Sequence, residues 1–399
     1  MEAVAKSAEA TAANSATRIL LVAPPAAGGL ASHVIALLDG VHNAGYAVRV
    51  VCAPDGRIAS AAAERGIPVD GMMLTGQGGP SRVALRAVQL ARVIRGFRPH
   101  IVHTHSFGAS TTGAAACTIA RSARLLITIH NYPPGTDTMA PTGKGQRWAS
   151  GRALQRAKRI ITVSEALRRD LVLAYPKVMA KSCTIYNGVD THLSVSRSAS
   201  EIRAEHGLPA DVPLVGMVAR LAPQKGILEF VRTARIVTDI YPSVAFVLAG
   251  DGPLAQDAVD LSRELGLGHQ LHLLGHIDWA RELIASLDLL VISSLSEGSS
   301  VVAMEAMALS KPVVATAVGG VPEVVAGGET GILVPPGDVE ALAGAIIDVL
   351  RDPARAQEMG ERGQQRAVRQ FDISDMIERT KAVYADIMRE TLDAEGARP

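Results

Sequence analysis

The sequence predicts an α/β protein built from two doubly wound parallel-sheet domains in series. Short β-rich apolar runs alternate with stretches of helical periodicity along nearly the whole chain, the pattern of strands buried between helices. The alternation breaks once, in a polar stretch over residues 191–200, and then resumes. Loops rich in Gly, Ser, His and charged residues follow many of the runs, at the strand ends where open parallel sheets hold their ligands.

The first strand is read over residues 17–23 (TRILLVA), too apolar to leave either face in water. Further runs follow at 47–53, 100–103, 125–130, 159–163 and 183–186. A helical pattern at 30–44 and another at 82–96 separate them; in the second, Val83, Ala87, Leu90, Ala91 and Ile94 recur at helical spacing. After the break, runs at 213–218, 245–249, 270–274, 289–293, 312–316 and 331–334 each precede a helical segment. A last helix over 373–391 carries Ile377, Val383 and Ile387 among its apolar positions. The expected organisation is a tail (1–16), a first domain (17–190), a linker (191–212), a second domain (213–372) and a closing helix (373–399). Periodicity does not say which domain that helix covers. Two such domains facing each other would line one cleft with their strand ends.

Composition narrows the function classes. A chain of 399 residues with 48% apolar and 20% charged residues can bury large cores, which excludes a disordered scaffold. Forty basic residues against 39 acidic ones argue against a nucleic-acid partner. No apolar run reaches the ~18 residues of a membrane span. Cys52, Cys117 and Cys183 are odd in number and form no CxxC pair, so neither a disulfide framework nor a zinc site is expected, and a reducing, cytoplasmic setting fits. The first 17 residues lack the features of a secretion signal or transit peptide and read as a frayed tail.

Chemistry concentrates at two strand ends of the second domain. In Ser296-Glu297-Gly298-Ser299-Ser300-Val301, a small-residue loop runs into a helix. Backbone N–H groups and the helix dipole there favour an anion such as phosphate. Glu297 then lies on the loop and Glu305 on the helix; the bland alternative is a capping serine beside a solvated acid. In Arg220-Leu-Ala-Pro-Gln-Lys225-Gly226, two cations on one strand-to-helix loop can hold a diphosphate from two sides, or merely decorate a turn. No Asp-x-Asp pair occurs to hold a metal, and fixed cations with a helix end could carry leaving-group charge without one. Weaker signals are the Gly28-Gly29 turn, the Gly319-Gly320 pair, His103 with His105, and His130.

Together these motifs resemble the retaining nucleotide-sugar glycosyltransferases of family 4, which have the GT-B fold: two Rossmann-like domains with parallel sheets facing a central cleft. The resemblance spans roughly residues 17–384. It comprises Gly28-Gly29, His103-Thr-His105, Thr128-Ile-His130, Asn187-Gly-Val-Asp190, Arg220 with Lys225-Gly226, Gly250-Asp-Gly252, the Glu297-x7-Glu305 pair and Gly319-Gly320-Val-Pro-Glu323. It implies that Arg220 and Lys225 hold the donor diphosphate, assisted by the helix start at Gly298, Ser299, Ser300 and Val301. Glu305 would bond the ribose, Glu297 the transferred sugar, and the loop at Ile277 the base edge. Gly28 and Gly29 would approach the phosphate, and His130 would position the sugar. The last helix would cross back to the first domain. No metal or other cofactor is implied; the donor is a substrate.

The acceptor, a glycan, a lipid-linked molecule or a small molecule, is expected in the first domain. Residues 147–159 carry five bases on an expected helix, which reads either as a solvated face or as a peripheral membrane contact. Two rival functions share the sequence features: a nucleotide-sugar 2-epimerase or phosphorylase on the same fold, and a catalytically silent binding subunit. Intact Arg220, Lys225, Glu297 and Glu305 speak against the silent subunit.

Overall fold

The computed structural model describes residues 17–26, 28–74, 79–121, 123–133, 143–192 and 195–396; the tail read over residues 1–16 lies outside them. The chain forms two compact units. One contains the described residues up to Tyr186 together with those from Ser374 onward, and the other Asn187–Ile373.

In the first unit β1 (Arg18–Val22), α1 (Gly28–Asn43), β2 (Ala47–Cys52), α2 (Arg57–Glu64), β3 (Val69–Gly71) and α3 (Gly79–Phe97) are followed by β4 (Ile101–His105) and α4 (Ser106–Ala120). Then come β5 (Arg124–Ile129), α5 (Lys144–Arg156), β6 (Arg159–Thr162), α6 (Glu165–Ala174), a 3-10 segment (Pro176–Lys181) and β7 (Ser182–Thr184). The seven strands form a sheet in the order β3-β2-β1-β4-β5-β6-β7, and every described pairing is parallel. Its core runs through Leu20, Val22, Val51, Leu90, Ile94, Val102, Leu125, Ile127, Ile160 and Leu171, all buried. The edge strand β3 was not anticipated: three residues, none fully buried, leave no apolar run to read.

The second unit repeats the plan. It contains α7 (Ala199–Glu205), β8 (Leu214–Val218), α8 (Ile227–Ile240), β9 (Ala245–Ala249), α9 (Ala255–Glu264), β10 (Leu271–Gly275), α10 (Ala280–Ser286) and β11 (Leu289–Ile292). These are followed by α11 (Val301–Ala308), β12 (Val313–Thr316), α12 (Val321–Val324), β13 (Gly331–Val334), α13 (Val339–Arg351) and α14 (Pro353–Gln370). Six parallel strands lie in the order β10-β9-β8-β11-β12-β13. Both sheets therefore reverse strand order once, at β1/β4 and at β8/β11. These are the switch points beyond whose carboxyl ends doubly wound sheets bind ligands.

Two boundaries differ from the sequence reading. The second unit begins at Asn187 rather than near 213. Val189 pairs with the backbone at Asp372, and a Cβ on Gly188 would stand 2.5 Å from the Cα of Ile373. Within the stretch read as a linker, α7 forms because Ser198 and Glu201 make a reciprocal capping box. Arg203 then pins it, donating to the carbonyls of Ser286 and Val212 and to Asp288. Polar composition hid this element because a buried arginine, not an apolar face, anchors it.

The last helix, α15 (Ile373–Gly396), starts at the edge of the second unit and continues in the first. Ile377 packs so tightly on α1 that a Cβ on Gly40 would overlap its side chain. Tyr384 is fully buried and bonds His103. Among the described residues no helix is long and apolar enough to cross a membrane.

Candidate active site

The strands β8 and β11 lie side by side although some 70 residues separate them, so the loops leaving their carboxyl ends meet. The loop after β8 turns through a short 3-10 segment, Pro223–Lys225, to Gly226, whose φ of +64° starts α8. A side chain there would be strained, and its Cβ would stand 1.9 Å from the carbonyl oxygen of Ser293. The contact is cross-linked by hydrogen bonds. Ser293 Oγ donates to the carbonyl of Gly226 at 2.8 Å, and the N–H groups of Leu295 and Ser296 donate to the carbonyl of Gln224 at 2.9 and 3.2 Å. Behind it, Leu221 N–H donates to the carbonyl of Asp251 in the Gly250-Asp251-Gly252 loop after β9. A Cβ on Gly250 would lie 1.8 Å from the carbonyl oxygen of Ala219. The backbone carrying Arg220 and Lys225 is thus clamped from two sides.

This clamp sets Lys225 Nζ 2.5 Å from Glu297 Oε2. Ser294 Oγ donates to the same oxygen at 3.1 Å. Only 10% of the Glu297 side chain and 26% of the Lys225 side chain are exposed, so the pair is shielded from water and salt. Neither neighbour of this pair was foreseen from the sequence, which assigned lysine and acid to different parts of one ligand. Arg220, by contrast, is exposed and has no ion-pair partner among the described residues. Thr316 Oγ1 donates to the carbonyl of Ser294 at 2.5 Å, and the N–H of Gly320 points to the carbonyl of Glu297 at 3.4 Å. The second glycine pair therefore braces the acid's loop.

Ser300 caps α11, accepting from Ala303 N–H at 3.4 Å, so the helix begins at Val301 as the motif suggested. Glu297 lies on the loop and Glu305 is the fifth helical residue, half-buried. The Oγ of Ser299 is buried with no hydrogen-bond partner among the described residues, next to free N–H groups of the first helical turn. Ile277, half-buried, follows β10 near the sheet edge. The arrangement offers two cations, a helix N-terminus and a carboxylate at one switch point, which suits a charged leaving group attached to a polar molecule.

Gly28, Gly29 and His130 belong to the first unit. Gly28 opens α1 with a φ of +58° and open space where a Cβ would project. His130 follows β5 and is 8% exposed. It sits in a histidine cluster that only the fold assembles. His105 Nδ1 lies 3.1 Å from His130 Nε2, and the His33 ring stands edge-on to both. Beside them His103 bonds Tyr384 through Nδ1 and Thr128 through Nε2, each at 2.7 Å. Burial, reinforced by the neighbouring imidazoles, holds His105 and His130 well below the usual histidine range and His103 at about 3. All three are neutral at physiological pH. His33 escaped the sequence reading, although a histidine among Ala31, Val34, Leu37 and Val41 on a buried helix face was a visible signal. Nitrogens of His33, His105 and His130 lie within 4.8 Å of one another. The closest pair is at hydrogen-bond distance, His105 Nε2 is buried with no hydrogen-bond partner among the described residues, and no carboxylate or thiol joins the three rings among those residues.

Comparison with known proteins matches both halves of the chain. Residues 27–193 fit the family model "Glycosyltransferase Family 4" and residues 198–366 the model "Glycosyl transferases group 1". The alpha-maltose-1-phosphate synthase of Mycobacterium tuberculosis is 30% identical over 311 residues, covering 72% of this chain and 79% of that protein. The N-acetyl-alpha-D-glucosaminyl L-malate synthase of Bacillus anthracis is 30% identical over 208 residues; that match spans about half of each chain, 52% of this one and 54% of the relative. The crystal structure of Anabaena HepE in complex with UDP-glucose superposes with a TM-score of 0.80 at 24% identity, over 92% of this chain and 99% of that one. The fold is that of the GT-B glycosyltransferases.

Proposed function

Because the chain belongs to the glycosyltransferases that join a family 4 domain to a group 1 domain, we propose that it moves a sugar from a nucleotide-diphosphate donor to an acceptor hydroxyl with retention at the anomeric carbon. The observation that carries this reading is the shielded Lys225–Glu297 pair at the β8/β11 switch point, with Arg220 lacking an acidic partner on the same loop. The complex of the similar HepE with UDP-glucose and the synthase names of the relatives support a nucleotide-sugar donor and favour transfer over epimerisation or phosphorolysis.

In this reading the donor diphosphate competes with Glu297 for Lys225. It takes bonds from Lys225 and Arg220 while the N–H groups at Ser299, Ser300 and Val301 meet its charge. Glu297, released from the lysine, accepts from hydroxyls of the transferred sugar; Glu305 accepts from the ribose, and the backbone at Ile277 meets the base. Gly28 and Gly29 admit the phosphate close to the backbone. Neutral His130 holds a sugar hydroxyl near the reacting carbon.

The bond between the anomeric carbon and the β-phosphate oxygen breaks with its electron pair going to the phosphate. The acceptor oxygen then bonds that carbon from the same face and gives its proton to the departing phosphate oxygen. Positive charge on the leaving group comes from side chains and a helix end, so the reading includes no divalent metal. A cytoplasmic setting accords with three free cysteines.

A thermal-shift series with UDP, GDP, ADP and their sugars tests the donor class, since a ligand at 100 times its Kd adds about 2.7 kcal/mol of stability. Arg220→Ala and Lys225→Ala should each weaken nucleotide-diphosphate affinity about tenfold or more, and Glu297→Gln should cut turnover while nucleotide binding persists. Near-normal turnover in all three folded variants would remove the assignment.

A further inference from the structure

The chain as a whole is almost neutral, yet residues 144–181 hold ten basic and two acidic residues, a net charge of +8 against +1 for the entire protein. The helix α5 contains Lys144, Arg147, Arg152 and Arg156 with no acid. Many other surface bases of the protein are matched at helical spacing, as in Arg235–Asp239, Arg362–Glu358 and Arg379–Asp375. Here Arg152, Arg156, Lys158 and Lys177 have no acidic partner among the described residues. Arg159 is offset by Glu390 of α15 and Arg168 by Glu165.

The fold gathers these bases. Lys181 donates from Nζ to the carbonyls of Gln155 and Ala157 at 2.8 and 2.9 Å, tying the 3-10 segment to the end of α5. Tyr175 donates to the carbonyl of Arg147 and packs on Gly151 further up the helix. Between the two segments opens a groove of about 620 Å³ lined by Arg156, Lys158, Arg159, Lys177 and Lys181, with Glu390. Burial, and to a lesser degree the adjacent Lys158, hold the Lys181 ammonium below the usual lysine range.

Charge alone would suit any polyanion, but the same region carries the two most exposed large apolar side chains among the described residues, and a third beside them. These are Leu173 at 78%, Trp148 at 70% and Met179 at 60%. Trp148 lies seven residues before Gln155, two turns along one face of α5, and Gln155 lines the groove. An exposed tryptophan, leucine and methionine around unpaired bases match the water–lipid boundary, where bases meet headgroup phosphates and apolar side chains enter the acyl edge.

We infer that the face formed by α5 and the segment 173–181 docks on an anionic phospholipid surface, seating headgroup phosphates in the groove beside Lys158 and Lys177. Docking of this kind is peripheral and does not depend on the donor chemistry proposed above.

Co-sedimentation of the full chain with phosphatidylcholine vesicles, with and without phosphatidylglycerol, tests it. Binding is expected only to the anionic vesicles and should vanish at high salt. The triple variant Arg152→Gln, Lys158→Gln, Lys177→Gln should lose about fivefold in affinity per charge, about a hundredfold in all. It should keep its melting temperature and its thermal response to nucleotide diphosphates. Trp148→Ser should weaken binding several-fold without altering its dependence on salt. Absent binding at low salt, equal binding to both vesicle types, or a triple variant that binds like the parent would overturn the inference. So would heparin binding as tight as vesicle binding together with an unaffected Trp148→Ser, which would mark a general polyanion surface.

Discussion

Lowering the pH from 7.5 to 5.5 should cost the first unit stability through three buried imidazoles, about 1.4 kcal/mol of it from His103 alone. His103 and His105 are fully buried and His130 nearly so. Both His103 nitrogens are committed to Tyr384 and Thr128, and burial pushes its pKa down to about 3; His105 and His130 move in the same direction. Unfolded, each imidazole titrates near 6.5. Above that value both states are neutral and folding is unaffected. Below it the unfolded chain gains protons that the folded one refuses, so stability falls with pH, and for His103 the fall continues to about 3. Over the window from 7.5 to 5.5 His103 loses about 1.4 kcal/mol, a sizeable share of the roughly 5–15 kcal/mol that holds a typical domain, and His105 and His130 add to the loss in the same direction. Carboxylates scarcely titrate in this window. Urea unfolding at several pH values measures the slope, and His103→Gln should reduce it by about one proton whatever its own cost in stability. An unchanged slope in His103→Gln, His105→Gln and His130→Asn alike would refute the reasoning.

Two further outcomes test the packing at the candidate site and in the cores. Gly226→Ala should destabilise the protein by about 2 kcal/mol or more, because left-handed backbone and a blocked Cβ act together. Gly266→Ala, at a φ of +68° with open space around it, should cost only about 1 kcal/mol. Equal losses in urea unfolding would mean that the close approach to Ser293 does not constrain the loop. Thiol labelling at pH 8 should find Cys52 and Cys117 inert, since burial pushes them up to about 11 and about 12. Cys183, partly buried and also raised, should react slowly, and all three should react after denaturation. Rapid labelling of two thiols in the folded protein would contradict this.

Strand positions were highly legible. The runs read at 47–53, 245–249 and 331–334 correspond to β2 (Ala47–Cys52), β9 (Ala245–Ala249) and β13 (Gly331–Val334), because strands covered by helices are mostly apolar. Elements whose stability comes from elsewhere were not legible. The strand β3 is held by its neighbour alone, and α7 by a cap and one buried arginine. At the candidate site, the residue types on each loop could be read, as could the capping of α11 at Ser300. The Lys225–Glu297 contact could not, since it brings together atoms 72 positions apart in the chain.

Local order was therefore written in the chain itself: alternating strand and helix, the break between two halves, and small or charged residues at the turns. These follow from period and turn chemistry, which act over a few residues. Which strands became neighbours was settled by crossover helices covering both sheet faces, and that choice set β8 beside β11 and β1 beside β4. Pairing the lysine with the acid, and folding Tyr384 from the far end of the chain onto His103, required the close packing of whole layers, a property that no stretch of sequence carries by itself.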